Sequence, residues 1–192
     1  MEQIIQEGFN IGMTQYRKEV EQLVEFLSDK KINNFLEIGT FKGGNFYILS
    51  KLSTGIKISV DMKNIQKDDC DYPYDSDVTT KLVEDLGGVA IIGDSHNVET
   101  LNKVKFTLNG SKLDLLYIDG DHTYNGAKLD FFMYYPLVKE GGYIIFHDIR
   151  ANYPSEGIEV YRLWHELKPK YNVVKEIVSE EVIDCGIGIF QK

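Results

Sequence analysis

The 192-residue chain reads as a doubly wound, Rossmann-like α/β domain. We expect a seven-stranded, mainly parallel sheet that ends in an antiparallel hairpin, with helices on both faces. Three observations predict this. Short apolar runs alternate with helical periodicity from residue 35 onward, the pattern of parallel strands joined by crossover helices. Glycines or acids close most of these runs, at Glu37-Ile38-Gly39, Asp61, Gly93-Asp94, Asp119 and His147-Asp148. The last two runs lie too close together for a helical crossover, so they should pair antiparallel.

The elements follow in order. Met1–Thr14 has weak periodicity and two glycines, and reads as an arm or a short helix. A helix is predicted over Gln15–Asp29, where Tyr16, Val20, Leu23, Val24 and Leu27 share one face. Residues 1–32 are thus an N-terminal arm and helix, and 33–192 the main domain. Phe35–Ile38 is a strand, Asn45–Leu52 a helix, and Ile56–Val60 a strand ending at Asp61. An irregular acidic loop, Met62–Ser76, leads to a helix over Asp77–Leu86 that stops at Gly87-Gly88. After the strand Val89–Ile92, Asn97 caps a helix expected to bury Val98, Leu101, Val104 and Leu108. Leu113–Ile118 is almost wholly apolar, as a central parallel strand should be. A helix over Tyr124–Val138 is stopped by Gly141-Gly142 and followed by the strand Tyr143–Phe146. The helix Gly157–Leu167 precedes the closing strands Val173–Val178 and Asp184–Phe190. No repeat, low-complexity tract or linker interrupts the pattern.

Composition narrows the class. The chain is 43% apolar and 27% charged, the balance of a globular domain. Its net charge of −9 and scattered lysines argue against a nucleic-acid backbone or an anionic membrane as partner. No apolar stretch approaches the roughly 20 residues of a membrane span. The acidic start is unlike a signal peptide, so a cytoplasmic location is expected. Cys70 and Cys185 lie far apart without metal-type spacing and read as reduced thiols. A homo-oligomer is compatible with all of this.

In a doubly wound sheet, ligands bind beyond the carboxyl ends of the strands. Glu37, Asp61, Asp94, Asp119 and Asp148 all fall there. Such a rim suits a cationic or hydroxyl-rich ligand, or a metal. The loop Glu37-Ile38-Gly39-Thr40-Phe41-Lys42-Gly43-Gly44 lacks the Gly-x-Gly-x-x-Gly of dinucleotide sites. Gly39 permits close backbone approach, and Gly43 or Gly44 a tight helix start. Glu37 would repel a pyrophosphate but suits the sulfonium and ammonium of S-adenosylmethionine. Asp61, about 20 residues on, is placed for the two hydroxyls of a ribose.

These segments resemble a known family. Phe35-Leu36-Glu37-Ile38-Gly39-Thr40-Phe41-Lys42-Gly43-Gly44 resembles the first motif of class I S-adenosylmethionine-dependent methyltransferases. Ile92-Gly93-Asp94-Ser95-His96, Tyr117-Ile118-Asp119-Gly120-Asp121-His122-Thr123-Tyr124 and Gly141-Gly142-Tyr143-Ile144-Ile145-Phe146-His147-Asp148 narrow the likeness. They resemble the cephalosporin-hydroxylase-type and macrolide sugar O-methyltransferases, with catechol O-methyltransferases further off. The resemblance spans about residues 33–190. It implies a cofactor site of Glu37, Gly39, Thr40, Gly43, Asn45, Asp61, Met62, Gly93, Asp94, Ser95 and Asp119. Within it Glu37 and Gly39 border the methionine part, Asp61 the ribose, and Asp94 with Ser95 the adenine.

The resemblance also implies a divalent cation, Mg²⁺ or Mn²⁺, at Asp119 and the pair His147-Asp148. Two carboxylates fit a hard cation. His147 departs from the acid or amide of the relatives; it favours Mn²⁺, Fe²⁺ or Zn²⁺, or else simply caps the strand end. An alcohol acceptor needs its proton removed. Asp121 and His122 are the candidate bases, and either can instead cap the helix starting near Thr123. His96 and His165 carry less signal. Tyr72, Tyr74 and Tyr153, in Met62–Ser76 and Ile149–Glu156, are placed to stack on an apolar acceptor. The expected activity is O-methylation of a small-molecule hydroxyl, on a sugar or natural product. The alternatives are a nucleotide-dependent oxidoreductase and a non-catalytic S-adenosylmethionine-binding protein.

Overall fold

The strands Phe35–Ile38 (β1) and Leu113–Ile118 (β4) are buried at every position. Strands apolar on both faces need a layer of helices on each side. The computed structural model describes residues 1–63, 74–150, 156–179 and 185–192. Within them β1 pairs in parallel with β4 and with Lys57–Asp61 (β2), and β2 with Val89–Ile92 (β3). On the other side β4 pairs in parallel with Val138–Phe146 (β5). Asn172–Ile177 (β6) and Ile187–Gln191 (β7) form the expected antiparallel hairpin. The last strand inserts beside β5, so the order is β3-β2-β1-β4-β5-β7-β6.

The helices are Glu2–Ile11 (α1), Arg17–Ser28 (α2), Gly44–Leu52 (α3), Ser76–Asp85 (α4), Val98–Leu108 (α5), Tyr124–Tyr134 (α6) and Val160–Leu167 (α7). Strand alternation sorts the side chains between two layers. Leu36, Ile38, Leu116 and Ile118 pack with α5, α6 and α7 through Val104, Phe131 and Trp164. Phe35, Leu115 and Tyr117 face the other way, onto Leu23, Leu27, Phe46 and Val83 of α2, α3 and α4. Glu37 shares that second face with Phe35 and lies opposite Tyr117 in the register. This places both polar groups under the N-terminal helices. Asp114, the polar exception in β4, accepts the Asn33 and Asn34 amides at 3.2 and 2.7 Å and pairs with Lys139.

Several details differ from the sequence reading. Residues 2–11 are a full helix, α1, seated on α3 where Gly8 closely approaches the Gly44 carbonyl. Tyr16 is the half-exposed N-cap of α2 and not part of its buried face. Val98 is exposed at the start of α5, and Thr100 takes the buried place. The predicted Tyr124–Val138 helix ends at Tyr134. Pro136 has no N–H to continue it, and a 3₁₀ turn over Tyr135–Leu137 leads into β5. Gly141 and Gly142 therefore lie inside a strand. Helix α7 begins at Val160, three residues later than Gly157. Cys70, Tyr72, Tyr153 and the first residue of the expected last strand, Asp184, fall outside the described residues. So do most of the loops Met62–Ser76 and Ile149–Glu156.

The hairpin is locked by one close approach. Trp164 stacks on Phe190 at 4.4 Å between centroids. A Cβ on Gly188 would lie 2.5 Å from the Trp164 ring. Gly188→Ala should therefore lower the unfolding free energy by about 1–3 kcal/mol through overpacking, measured by urea denaturation. A neutral change would show that the indole has room to move.

Candidate functional site

The chain leaves β1 through a turn that only a few conformations allow. Gly39 has φ +85°, and a Cβ there would overlap the Asp119 carbonyl. The ends of the three central strands are thereby drawn together: Gly39 N donates to Val60 O and Asp119 N to Ile38 O, both at 2.9 Å. Phe41 follows at φ +52°, an uncommon conformation for a bulky residue. It is held from three sides. Its amide donates to Asp61 Oδ2 at 2.6 Å, its carbonyl accepts from Thr79 Oγ1 at 2.8 Å, and its ring meets Tyr74 edge-on.

Glu37 is buried behind this turn. Its Oε1 accepts from Asn45 Nδ2 at 2.7 Å, while Oε2 has no donor among the described residues. Burial, with Asp119 and Asp61 nearby, pushes its carboxyl well above the usual range despite the Asn45 bond. Thr40 is tied to Ser59 at 2.7 Å, and a Cβ on Gly43 would press on Leu82. Glu37, Thr40, Gly43 and Asn45 thus stand behind the loop and support it. The cleft itself, of about 780 Å³, is lined by Gly39, Phe41, Asp61, Met62, Tyr74, Gly93, Asp94, Ser95, His96 and the run Asp119–His122. Asp61 is fixed from below by Phe41 N and Met62 N, the latter at 2.7 Å, with Tyr74 OH at 3.4 Å. Burial raises its carboxyl in spite of these donors.

At the far end of the cleft, His96 N donates to Asp94 Oδ1 at 2.9 Å. The His96 ring sits with Nε2 3.3 Å from Asp130 Oδ1, a fully buried carboxylate of α6. That contact outweighs burial, and the imidazole is pushed up to about 9. His96, with little signal in the sequence, is therefore a fixed cation on the cleft wall at neutral pH.

The opposite end gathers Asp119, His122, His147 and Asp148. Asp119 Oδ1 is 3.4 Å from both His122 Nε2 and His147 Nδ1. Asp148 approaches His147 Nδ1 at 3.1 Å and His122 Nδ1 at 3.7 Å. Burial alone would raise the Asp119 carboxyl, but His147 and His122 hold it well below the usual carboxylate range. Burial disfavours charge on both rings, yet Asp119 and Asp148 raise His122 and lift His147 well above its ordinary value. Ligand atoms of Asp119, His122 and Asp148 lie within 4.8 Å of one another, close enough to hold one ion. Asp121 is elsewhere. Its Oδ1 accepts from Thr123 N at 2.8 Å, and Thr123 caps α6 by accepting from Gly126 N. Asp121 thus performs the local capping role, while His122 faces the acids.

Two residues of this cluster escaped the sequence reading. Gln15 Nε2 donates to Asp119 Oδ2 at 2.9 Å and to Tyr117 OH at 3.0 Å. Glu19 of α2 is fully buried, with Oε2 3.9 Å from His147 Nε2. Burial raises its carboxyl, countered by His147 and by the Gly186 amide. The signal existed: position 19 lies one turn before Leu23, so an acid stood on the apolar stripe of the helix. His165 is bound to its own helix, with Nδ1 3.0 Å from Tyr161 O, and is outside the cleft. No helix among the described residues is long and apolar enough to cross a membrane.

Residues 36–149 match the family model described as a methyltransferase domain. An uncharacterized protein of Acanthamoeba polyphaga mimivirus is 29% identical over 140 residues, 59% of this chain and 50% of the viral protein. The MycE methyltransferase of the mycinamycin biosynthetic pathway, solved with Mg, SAH and mycinamycin VI, is similar in fold. Its TM-score is 0.63 at 16% identity, over 99% of this chain and 54% of that one. TomG, an O-methyltransferase of Streptomyces achromogenes solved with SAM, gives a TM-score of 0.68 at 12% identity, over 98% and 89%. An O-methyltransferase of Bacillus cereus solved with SAH gives 0.61 at 18% identity, over 100% and 90%. The chain spans about half the length of the viral relative and of the MycE chain.

The His96–Asp130 pair has a stability consequence. The His96 pKa lies above its ordinary 6.5, so the pair contributes fully below pH 6.5 and is lost as pH rises through about 9. Between pH 6 and 10 the wild-type protein should lose about 1–3 kcal/mol more stability than His96→Gln, read by urea denaturation at each pH. Equal slopes in the two proteins would mean the pair carries no coupling.

Proposed function

The chain belongs to the methyltransferase-domain family, and from that premise we propose that it methylates a hydroxyl of a small molecule with S-adenosylmethionine. The observation that carries the reading is the cleft between the two clusters. It has a ribose-type carboxylate, Asp61, in its middle and a proton-accepting imidazole, His122, at one end. The fit to the cofactor rests on three features. Gly39 leaves no Cβ where a ligand must approach the β1 end. Asp61 is anchored by two backbone amides, which aims its remaining lone pairs into the cleft. Glu37 is buried with one oxygen unpartnered among the described residues, and the ammonium and sulfonium would supply positive charge near it. Met62, Gly93, Asp94 and Ser95 then line the nucleoside side, with Thr40, Gly43 and Asn45 shaping the loop from behind.

The cofactor supplies an electrophilic methyl group when bound; the protein supplies position and a proton acceptor. His122 takes the acceptor's hydroxyl proton on one ring nitrogen, while Asp119 holds the ring and stabilises the imidazolium. Asp121, with Oδ1 on Thr123 N, stands outside the Asp119–Asp148 cluster. A divalent cation fits at this end of the cleft, where His147 and Asp148 offer donors beside Asp119. There it would offset their charge and polarise the acceptor oxygen. MycE was solved with Mg and mycinamycin VI, which supports a cation and a sugar or natural-product acceptor here.

Two measurements test this reading. Calorimetry should detect micromolar binding of S-adenosylmethionine or S-adenosylhomocysteine; a folded protein that binds neither has another function. With a panel of hydroxyl acceptors, His122→Gln should lose about 10²–10⁴-fold in kcat and keep its cofactor affinity. Because His122 is raised above its ordinary 6.5, kcat/KM should climb with pH along one ionisation above that value. Full activity in His122→Gln would assign the base elsewhere.

A further inference from the structure

The antiparallel insertion of β7 brings a residue to the cluster that sequence spacing had set aside. Backbone pairing continues past the strand: Ile149 N donates to Gly186 O at 3.2 Å and Arg150 N to Cys185 O at 3.0 Å. Cys185 is thereby held against the segment that carries Asp148. Its Sγ, one oxygen of Asp148 and one nitrogen of His147 all lie within 4.8 Å of one another. This second set of donors shares only Asp148 with the set Asp119, His122 and Asp148.

We propose that His147, Asp148 and Cys185 form a binding site for a borderline-soft divalent transition-metal ion of the zinc type. The proposal rests on the methyltransferase reading only for the use of the ion; the site itself stands on geometry. Three observations carry it. The donors are one nitrogen, one oxygen and one sulfur, a set that suits zinc and offers Mg²⁺ too few oxygens. The imidazole has carboxylates on both of its nitrogen sides. Its Nδ1 lies between Asp148 at 3.1 Å and Asp119 at 3.4 Å, and its Nε2, buried without a hydrogen-bond partner among the described residues, faces Glu19 at 3.9 Å. A carboxylate behind the distal nitrogen is the usual outer-shell partner of such a ligand. This gives the fully buried Glu19 a reason to be there. Finally, an ion held on this side leaves His122 for proton transfer, whereas an ion held by Asp119, His122 and Asp148 would occupy the proposed base. Three protein ligands would leave a fourth position for another ligand.

Cobalt tests the site directly. Titration of the metal-free protein with Co²⁺ under a non-coordinating reductant should produce an intense near-ultraviolet thiolate-to-cobalt band. Cys185→Ser should abolish the band. Competition should show Zn²⁺ binding about 100-fold or more tighter than Mg²⁺, and Glu19→Gln should weaken Zn²⁺ about 10–100-fold. S-adenosylhomocysteine binding on the same samples reports folding and the cofactor reading separately. Cofactor binding without a cobalt band, or an unchanged band in Cys185→Ser, overturns the metal site and leaves the methyltransferase reading standing. A cobalt band without cofactor binding does the reverse.

Discussion

Glu19, Glu37, Asp61, Asp119 and Asp148 lie buried or half-buried within one end of the molecule, where His122, His147 and Arg150 are among the basic groups near them. Burying a carboxylate without a partner is costly, and like charges add to the cost. The fold meets this in different ways along the rim. Glu37 and Glu19 shift toward the neutral acid. Asp119 stays ionised because two imidazoles share its oxygen. Asp61 depends on backbone amides. A site built this way is short of positive charge, and a sulfonium–ammonium ligand and a divalent cation are two ways to supply it.

The two ends of the cleft solve the problem separately. Asp130 has the His96 imidazole 3.3 Å away as its charged neighbour, and the two belong to α5's entry and α6. The cluster at Asp119 depends instead on β4, β5, α2 and the turn before β7. The end at His96 thus carries its own basic group, and the end at Asp119 draws on several elements. The proposed reading uses this division, with the cofactor gripped at one end and the acceptor at the other.

Much of this was legible from the chain. Unbroken apolar runs such as Leu113–Ile118 have one stable environment, between two helical layers, and the acids that follow them must then share a rim. The short gap between the last strands sufficed for the hairpin, because no crossover fits there. What escaped depended on contacts distant in sequence. Cys185 reaches Asp148 only because β7 inserts beside β5, and nothing local in residues 185–191 encodes that choice. Gln15 meets Asp119 because Tyr117 faces α2, a consequence of strand parity that needs the register with β1. Glu19 was readable as an acid on an apolar stripe, but its partner was not. Asp121 and His122 were equivalent in sequence; the cap at Thr123 separated them by giving one a backbone amide and the other a carboxylate.

Backbone strain points to the same rim. Among the described residues, three non-glycine positions have positive φ: Phe41, Asn109 and Asp148. Asn109 ends α5 in a left-handed cap, an ordinary use of asparagine. The other two have no capping role. Each such residue costs of order 1 kcal/mol or more and persists only where neighbours over-determine it. Phe41 is held by Asp61, Thr79 and Tyr74, and its strain fixes the amide that anchors Asp61. Asp148 sits at φ +60° between the last residue of β5 and the pairing of Ile149 with Gly186. A relaxed backbone there would turn the carboxylate away from His122 and His147. Both strained residues thus set the direction of a carboxylate, Asp61 on the cleft wall and Asp148 toward His122 and His147. Each is an unfavourable local conformation that makes sense only if the carboxylate's direction matters, and direction matters for a ligand more than for the fold.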